Sequence, residues 1–333
     1  MKKYLIIRFS SIGDIVLTTA LIRCLKLQQP EAEVHFITKK QFLPLLEANP
    51  YLDKIYTISK NISEVLPQLK AENYSNVVDL HKSLRSRELL LRLQKPYSSF
   101  PKLNFQKFLI CSFKINILPA IHIVDRYFKA VQKYGVNNDG KGLDYFIPEK
   151  ERVSLGSLPK THLNGYIALV IGGKHATKQM PPAKLVALCK EISKPIIILG
   201  GKEDRDVAEL IVSQSGKMIF NACGLYNLNQ SASLLASADR VITHDTGLMH
   251  IAAALKKDIL SIWGNTVPGF GMYQYFQANY TGDSQIAEVK GLSCRPCSKL
   301  GYKACPKIHF NCMNQINVEY ISKWANSNIP VET

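Results

Sequence analysis

The sequence lacks a long apolar run. No segment approaches the roughly 18 consecutive apolar residues that a membrane-spanning helix requires, and the apolar stretch near the start, Tyr4–Ile7, is interrupted at Arg8. That stretch is also too short for the apolar region of a signal peptide. We therefore expect neither a signal peptide nor an anchor, and a cytoplasmic location.

Acidic residues are scarce relative to basic ones. The 333 residues include 42 Lys and Arg against 26 Asp and Glu, a formal net charge of +16. This excess favours an anionic partner, such as a phosphorylated glycolipid or the acidic surface of a membrane. Zinc-finger spacing, an RNA-binding aromatic motif and a basic region followed by heptads are all missing, so we expect no nucleic-acid partner.

Short apolar runs typical of strands alternate with segments of helical apolar spacing. This alternation occurs in two series along the chain, which predicts two α/β domains. The length exceeds what one hydrophobic core usually fills. The predicted strands are 4–8, 34–37, 54–58 and 76–80, then 166–171, 195–199, 218–220, 240–243 and 259–263. The predicted helices are 15–27, 42–48 and 62–71, then 182–192, 204–213, 229–236 and 247–255. Each series is typical of a doubly wound parallel sheet, which binds ligands at the carboxyl ends of its strands.

A less regular stretch, 95–160, separates the two series, and it contains several prolines and an Asn-Asn-Asp-Gly turn. We expect a boundary between residues 150 and 164. The predicted domains are 1–155 and 156–315. A C-terminal helix within 316–333 is a candidate to pack back on the N-terminal domain.

The first candidate loop, Phe9–Asp14, joins the first strand to the first helix. Gly13 would let a ligand approach the backbone closely, and Asp14 lies in the opening turn of the helix. Ser10, Ser11 and Gly13 are therefore candidates for contact with a ligand. The alternative is that Asp14 only stabilises the helix N-terminus.

Two later loops have the composition of phosphate sites. In His244–His250, the small residues Thr246 and Gly247, followed by Leu248, open a helix whose free N–H groups suit a diphosphate. In Gly172–Pro181, Thr177 and Lys178 suit phosphate binding, although the loop is not a Walker A motif. A capped helix and a solvated basic loop are the respective alternatives.

The loop Gly200–Asp204 follows another predicted strand. Glu203 is a candidate to accept hydrogen bonds from ribose hydroxyls, as acidic residues do in dinucleotide folds. Asp204-Arg205-Asp206 spells a metal-binding Asp-x-Asp, but these residues open a helix and are better explained as helix capping. We expect no metal there.

Three of these segments together resemble glycosyltransferase family 9, the lipopolysaccharide heptosyltransferases. They are Ser10–Asp14, Ala176–Pro181 and Asp245–Ala253, of which the last is the most specific. The resemblance implies a GT-B architecture, with two Rossmann-like domains facing across a cleft. In it, domain 1–155 binds the acceptor, with Ser10, Ser11 and Gly13 as acceptor candidates, and domain 156–315 binds the nucleotide-sugar donor. It also implies an inverting transfer from an ADP-activated heptose to a phosphorylated sugar of the lipopolysaccharide core.

The resemblance also implies roles for individual residues. Asp14 matches the proposed general base, Lys178 and Thr246–Leu248 match the binding site of the donor diphosphate, Asp245 matches an acid facing the donor sugar, and Glu203 matches an acid near the ribose. Inversion needs a single carboxylate to take the acceptor proton while the diphosphate leaves from the other face. Positive charge and oriented N–H groups can stabilise the leaving group without a required cofactor or metal.

The acceptor side is marked by basic residues after the fourth strand. His81, Lys82, Arg85 and Arg87 could face an anionic glycolipid, or could form a solvated helix face. The net charge would also favour peripheral contact with the anionic cytoplasmic face of the inner membrane. The sugar itself is not identified, because it depends on side chains around Asp245 and His250.

Four cysteines cluster near the C-terminus, at Cys294, Cys297, Cys305 and Cys312. Without an export signal, thiols are more often buried, catalytic or metal-bound than joined in disulfides. Cys294 and Cys297 form a Cys-x-x-Cys half-site, so a structural zinc is one hypothesis, and a redox pair and buried thiols are the others.

Two alternatives to a transferase stay open. One is a nucleotide-sugar epimerase or a phosphorylase on the same scaffold, because fold does not fix reaction. The other is a non-catalytic protein that binds a nucleotide or a glycolipid.

Overall fold

The computed structural model describes residues 2–216 and 218–327. The chain divides into two compact units. Unit 1 runs to Leu103 and adds Ile121–Pro148 and Tyr275–Asn279. Unit 2 contains Asn104–Ala120, Glu149–Gln274 and the described residues from Tyr280 onward.

Unit 1 is built on a five-stranded parallel sheet with the strand order β3-β2-β1-β4-β5. Its strands are β1 Lys3–Ile7, β2 Glu33–Lys39, β3 Lys54–Ile58, β4 Asn76–Asp79 and β5 Tyr97–Ser99. The helices up to residue 128 are α1 Ile12–Val16, α2 Thr19–Gln28, α3 Leu66–Ala71, α4 Leu84–Leu93, α5 Asn104–Phe113, which lies in unit 2, and α6 Ile123–Phe128. The central strands read as continuous apolar runs because helices cover both faces of a parallel sheet.

All three predicted helices of unit 1 differ from the structure. The predicted helix 62–71 consists of a 3-10 turn, Ile62–Glu64, followed by α3. Residues 42–48 were expected to be α-helical, but Lys40–Leu45 form a 3-10 helix that contains Pro44. Proline has no N–H to donate within an α-helix. The predicted helix 15–27 is divided into α1 and α2, and the Thr18 hydroxyl between them donates to the Ile15 carbonyl oxygen at 2.7 Å.

Unit 2 is built on a six-stranded parallel sheet with the strand order β11-β10-β9-β6-β7-β8. Its strands are β6 Ile167–Val170, β7 Ile196–Leu199, β8 Ile219–Asn221, β9 Arg240–His244, β10 Asp258–Trp263 and β11 Ser284–Glu288. Its later helices are α7 Pro182–Glu191, α8 Arg205–Ser215, α9 Leu228–Ser237, α10 Gly247–Ala254, α11 Asn311–Asn314 and α12 Val318–Asn326. One core cluster joins β6, β7, α7 and α12 through fully buried residues such as Ile167, Ile198, Leu188 and Ile321.

The C-terminal helix packs on unit 2. The sequence-based expectation that it packs on the N-terminal domain is wrong. The Ser322 hydroxyl of α12 donates to the Glu191 carboxylate at 2.7 Å, and the Asn326 amide donates to the Glu191 carbonyl oxygen at 2.8 Å. Ile321 and Trp324 supply the apolar face of this contact. Residues 328–333 of the predicted C-terminal segment lie outside the described residues.

Each sheet has one point where the strand order reverses. In unit 1 this point lies between β1 and β4, and in unit 2 between β6 and β9. Loops leaving the carboxyl ends of such neighbouring strands diverge and leave a crevice, which is where open α/β sheets bind ligands. Among the described residues, no helix is long and apolar enough to cross a membrane.

Candidate active site

The loop after β1 brings Asp14 to the reversal point of unit 1. Ser11 precedes α1, and the Asp14 carboxylate accepts hydrogen bonds from the Ser11 N–H at 3.2 Å and the Ser11 hydroxyl at 2.7 Å. Asp14 therefore stabilises the start of α1, which is the role that the alternative interpretation of the sequence gave it. Its side chain still keeps 22% of its surface exposed, so its outer edge can meet a ligand.

Arg8, at the end of β1, holds the other oxygen of Asp14. Its Nη2 lies 2.6 Å from Asp14 Oδ1. The same guanidinium donates to the Ser10 carbonyl oxygen at 2.8 Å and to the carbonyl oxygen of Leu80, so three anchors fix its position. Burial raises the pKa of Asp14, but the Arg8 charge and the Ser11 hydrogen bonds outweigh it, and the net pKa lies below its usual value. Asp14 is thus a fixed, ionised carboxylate at neutral pH.

His81 faces this pair from the end of β4. Its ring packs edge-on against Phe9 at 5.4 Å between centroids. Burial and the nearby Arg8 charge lower the pKa of His81 to about 4, so the ring is neutral at pH 7. The Arg8 and Asp14 charges then balance each other within this crevice.

The predicted acceptor residues do not share one face. Arg85 lies over the Phe9 ring, with its Cζ 5.9 Å from the centroid, which places it beside the Asp14 loop. The Lys82 ammonium instead donates to the Phe100 carbonyl oxygen at 3.1 Å. Arg87 is exposed, two residues along α4 from Arg85. Residues two apart in a helix point to different sides, so Arg85 is the acceptor candidate that the structure brings to Asp14.

The loop after β6 meets the loop after β9 at the reversal point of unit 2. The Lys178 ammonium donates to the Asp245 carboxylate, and the Thr266 hydroxyl donates to the same carboxylate at 2.9 Å. Both charged side chains are largely buried, at 17% exposure for Lys178 and 11% for Asp245. The structure thus joins two predicted site residues that are 67 positions apart.

Thr177 is held by the C-terminal tail rather than left free. Its hydroxyl accepts a hydrogen bond from the Tyr302 N–H at 2.8 Å, and its own N–H donates to the Tyr302 carbonyl oxygen at 3.3 Å. This places Lys178, the next residue, in a defined position. Nothing in the sequence pattern links residue 302 to this loop.

The start of α10 adjoins the Lys178–Asp245 pair. Thr246 is the N-cap residue in extended backbone, and its side chain makes no capping hydrogen bond to the helix. The N–H groups of the first turn, which includes Gly247 and Leu248, have no acceptor within the helix. They and the helix dipole favour an anion beside the Lys178 ammonium.

The remaining donor candidates occupy different environments. Glu203 is exposed in a 3-10 turn after β7, whereas His250 is buried within α10. Asp204 is buried, and its carboxylate accepts a hydrogen bond from the Gly201 N–H at 2.8 Å. That contact is the capping role expected for Asp204.

Glycines 172 and 200 leave room for the Asp204 carboxylate. A Cβ on Gly172 would lie 2.6 Å from Asp204 Oδ2, and one on Gly200 would lie 2.8 Å from the same atom. A Cβ on Gly173 would meet nothing closer than 3.5 Å. Gly172 is thus required by packing, and Gly173 is not.

The four C-terminal cysteines do not form the four-thiolate site that their spacing suggested. All four are free, and among the described residues only Glu33, His35 and Glu72 bring three potential ligand atoms within 4.8 Å of one another. Burial raises the pKa of Cys297 and Cys312 to about 11, and the other C-terminal cysteines lie near enough to act on both thiols.

The Glu33, His35 and Glu72 cluster lies near the amino ends of the strands, away from the reversal point of unit 1. Lysines already neutralise it, because Lys3 Nζ lies 2.8 Å from one oxygen of Glu72 and Lys54 Nζ lies 2.6 Å from the other. His35 Nε2 is 3.2 Å from Glu33. We therefore interpret it as a structural ion-pair network.

Known proteins match this chain in sequence and in fold. Lipopolysaccharide heptosyltransferase 1 of Campylobacter coli is 27% identical over 79% of this chain and 84% of its own length. Lipooligosaccharide heptosyltransferase 2 of Haemophilus ducreyi is 24% identical over 80% of this chain and 85% of its own length.

Solved structures share the fold at low identity. A family 9 glycosyltransferase from Veillonella parvula superposes with a TM-score of 0.74 at 19% identity, covering 97% of this chain and 95% of that one. An Escherichia coli heptosyltransferase solved with ADP superposes with a TM-score of 0.67 at 19% identity, covering 97% and 98%. The GT-B fold expected from the sequence, with two Rossmann-like domains, is confirmed.

The model of glycosyltransferase family 9 (heptosyltransferase) matches residues 62–300. This range contains Lys178, Asp245 and the start of α10, but not the Asp14 loop. The match covers more than half of the chain. The protein therefore belongs to glycosyltransferase family 9 and is a glycosyltransferase.

Proposed function

We propose that this glycosyltransferase moves a heptose from ADP-heptose to a phosphorylated sugar of a lipopolysaccharide core. The observation that carries the proposal is the Lys178–Asp245–Thr266 cluster beside the open start of α10, inside the range that matches the family. The relatives named as lipopolysaccharide and lipooligosaccharide heptosyltransferases support the choice of sugar and acceptor.

Unit 2 binds the donor in this proposal. The diphosphate lies at the first turn of α10, where N–H groups and the Lys178 ammonium supply positive potential. In the same proposal, Asp245 accepts hydrogen bonds from hydroxyls of the donor sugar, and Glu203 accepts them from the ribose. The Escherichia coli relative solved with ADP supports adenosine as the nucleoside.

Unit 1 binds the acceptor and supplies the base. Asp14 removes the proton of an acceptor hydroxyl. The oxygen of that hydroxyl bonds to the anomeric carbon of the donor sugar, and the bond from that carbon to the diphosphate breaks. One displacement inverts the anomeric configuration. The charge that develops on the departing ADP is stabilised by Lys178 and the α10 N–H groups, with no required cofactor.

Arg8 and Arg85 have distinct parts in the acceptor site. Arg8 positions Asp14 and keeps it ionised, since the Arg8 charge and the Ser11 hydrogen bonds hold the pKa of that carboxyl below its usual value. Arg85 supplies positive charge beside the same loop and suits the phosphate of the acceptor. Ser10 and Ser11, which are accessible on the same loop, are the other acceptor candidates, whereas Gly13 is buried.

The experiment that tests this proposal is calorimetric titration of the protein with ADP, UDP, GDP and CMP. We expect ADP to bind at least about tenfold more tightly than the others, which corresponds to roughly 1.4 kcal/mol. A preference for UDP or GDP would keep the transferase and rule out ADP-heptose. Absence of binding to all four would remove the donor site assigned to unit 2.

A further inference from the structure

Helix α5 exposes its apolar side chains instead of packing them into a core. Its sequence contains Phe105, Phe108 and Phe113, yet none of its ten residues is buried. Phe105 is 65% exposed, Phe108 53% and Phe113 61%. Isolated apolar side chains on a surface are ordinary, but a contiguous exposed patch marks an interaction site.

The aromatic patch is continuous along the chain. The Phe108 and Phe113 rings contact each other edge-on, with centroids 5.8 Å apart. Ile115 and Ile117, in the segment that follows, are 51% and 54% exposed. Phe105 and Phe108 lie three residues apart, so they share one face of α5.

Lysines anchor the other side of this segment to unit 2. The Lys114 ammonium donates to the carbonyl oxygens of Cys294 at 3.1 Å and Pro296 at 2.8 Å. Lys107 Nζ lies 5.6 Å from the centroid of the Phe270 ring. The helix is therefore attached through its lysines while its phenylalanines face outward.

The tail loop beside α5 repeats this composition. Leu300 is 61% exposed and Ile308 is 93% exposed, and the exposed Lys299, Lys303 and Lys307 are interspersed with them. Lys299 lies near enough to Cys111 of α5 for its charge to act on that thiol. We call 105–117 together with 299–308 the basic apolar surface.

No acidic residue occurs within the two sequence segments that form this surface. Residues 101–121 contain three lysines and no Asp or Glu, and residues 289–318 contain four lysines and one arginine and no Asp or Glu. A protein partner of ordinary composition does not require this combination. An anionic bilayer fits it, because phenylalanine and leucine enter the interface while the exposed Lys299, Lys303 and Lys307 attract acidic headgroups.

We propose that the basic apolar surface seats unit 2 on an anionic lipid bilayer, with the phenylalanine face of α5 and Ile308 entering the headgroup region. The tail loop also holds the donor loop, since Tyr302 bonds to Thr177 and a cavity of about 260 Å³ between Ala176, Thr177, Cys305, Ile308 and Phe310 adjoins it. Membrane contact therefore lies beside the proposed donor site. The binding of this surface to a bilayer does not depend on the proposed function. Only the expectation that the acceptor is attached to a lipid in that bilayer rests on it.

Vesicle binding tests the surface directly. We expect the full-length protein to co-sediment with equimolar phosphatidylglycerol and phosphatidylethanolamine vesicles, to bind phosphatidylcholine vesicles far less, and to be released by high salt. The double variant Phe105→Ser/Phe108→Ser should bind at least about tenfold more weakly, because two aromatic side chains no longer partition. Leu225→Ser is the matched control, since Leu225 is 53% exposed in unit 2 outside this surface, and it should bind as the wild type does.

A spectroscopic variant keeps the proposal testable if the double variant folds poorly. In Phe108→Trp, the fluorescence emission of the introduced indole should shift to shorter wavelength when anionic vesicles are added, and brominated lipid should quench it. Unchanged emission, equal binding of the double variant, or equal binding to neutral vesicles would overturn the proposal. Dimerisation without vesicles that is abolished by Phe105→Ser/Phe108→Ser would assign the surface to a second copy of this chain instead.

Turnover separates this inference from the proposed function. The double variant should transfer sugar to a water-soluble, deacylated acceptor at the wild-type rate, and should lose activity on acceptor embedded in anionic vesicles. Equal loss on both acceptors would contradict a membrane role. If the wild type turned over neither acceptor, the proposed function would fail while the vesicle-binding result would stand.

Discussion

The two reversal points use the same strand-loop-helix geometry in opposite ways. In unit 1 the helix start is occupied, because the Asp14 carboxylate accepts the Ser11 N–H and pairs with Arg8. In unit 2 the start of α10 has no side-chain cap, and a cation, Lys178, adjoins it. An occupied helix start fixes a carboxylate as a proton acceptor, whereas an open one receives an anionic ligand. Variants that alter one point and spare the other test this division.

The largest effect is expected from Asp14→Asn. This change keeps the size of the side chain and an oxygen for Ser11 but removes the base, so we expect turnover to fall about 10²–10⁴-fold. ADP affinity should remain at the wild-type value because the donor site lies in unit 2. The assay is steady-state transfer together with calorimetric binding of ADP.

The control for that variant is Asp206→Asn, which removes an exposed carboxylate on α8 and should leave transfer unchanged. Wild-type transfer by Asp14→Asn would remove this carboxylate from the mechanism. Weakened ADP binding by the same variant would contradict the separation of the two roles.

Lys178→Ala is expected to weaken ADP binding at the reversal point of unit 2. Removing one charged donor to phosphate should weaken ADP binding about 10–100-fold, the usual value of a hydrogen bond to a charged group. Lys174→Ala is the matched control, because it removes the same charge from an exposed position in the same loop. If both variants weakened ADP equally in calorimetry, general electrostatics rather than the site would explain the effect.

Gly172→Ala should destabilise unit 2, while Gly173→Ala should not. The new Cβ at residue 172 would overlap the buried Asp204 carboxylate, which is itself held by the Gly201 N–H. We expect a loss of about 1–3 kcal/mol in the free energy of unfolding, typical of overpacking. Urea unfolding followed by circular dichroism measures both variants, and equal stability of the two would contradict the packing at Gly172.

The subtlest effect is a change in pH dependence. Arg8 favours the ionised form of Asp14, so the pKa of this carboxyl lies below its usual value, and the base is lost only as the pH falls through that lowered pKa. Arg8→Gln should raise the pKa and move the acid limb of kcat/KM to higher pH. Arg92→Gln, at an exposed α4 position, should leave the limb in place. If the acid limb of kcat/KM stayed at the same pH in Arg8→Gln, Arg8 would not control the pKa of Asp14.

The sheets were predictable from the sequence because parallel strands bury both faces and therefore form apolar runs. Strand β3 was predicted at its observed bounds, Lys54–Ile58. Strand β5, Tyr97–Ser99, and strand β11, Ser284–Glu288, were not predicted. They are edge strands with few buried residues, so they carry little apolar signal.

The candidate site was predictable as loops but not as contacts. Glycines and small polar residues after each strand indicated where ligands bind, yet the pairing of Lys178 with Asp245 depends on β6 lying beside β9, which no local pattern reveals. Arg8 was missed as a site residue, although a charge that ends a buried strand is the signal that could have found it. Thr266 and Tyr302 carried no signal. Their contacts arise from the packing of distant loops.

The most direct test of the central claim is acceptor-dependent release of ADP from ADP-heptose, with the anomeric configuration of the product determined by NMR. We expect ADP release only when the phosphorylated core acceptor is present, inverted configuration in the product, and little release by Asp14→Asn. Conversion of the donor without acceptor would favour the epimerase or phosphorylase reading. Tight ADP binding without turnover on any core acceptor would contradict the transferase mechanism assigned to these two reversal points.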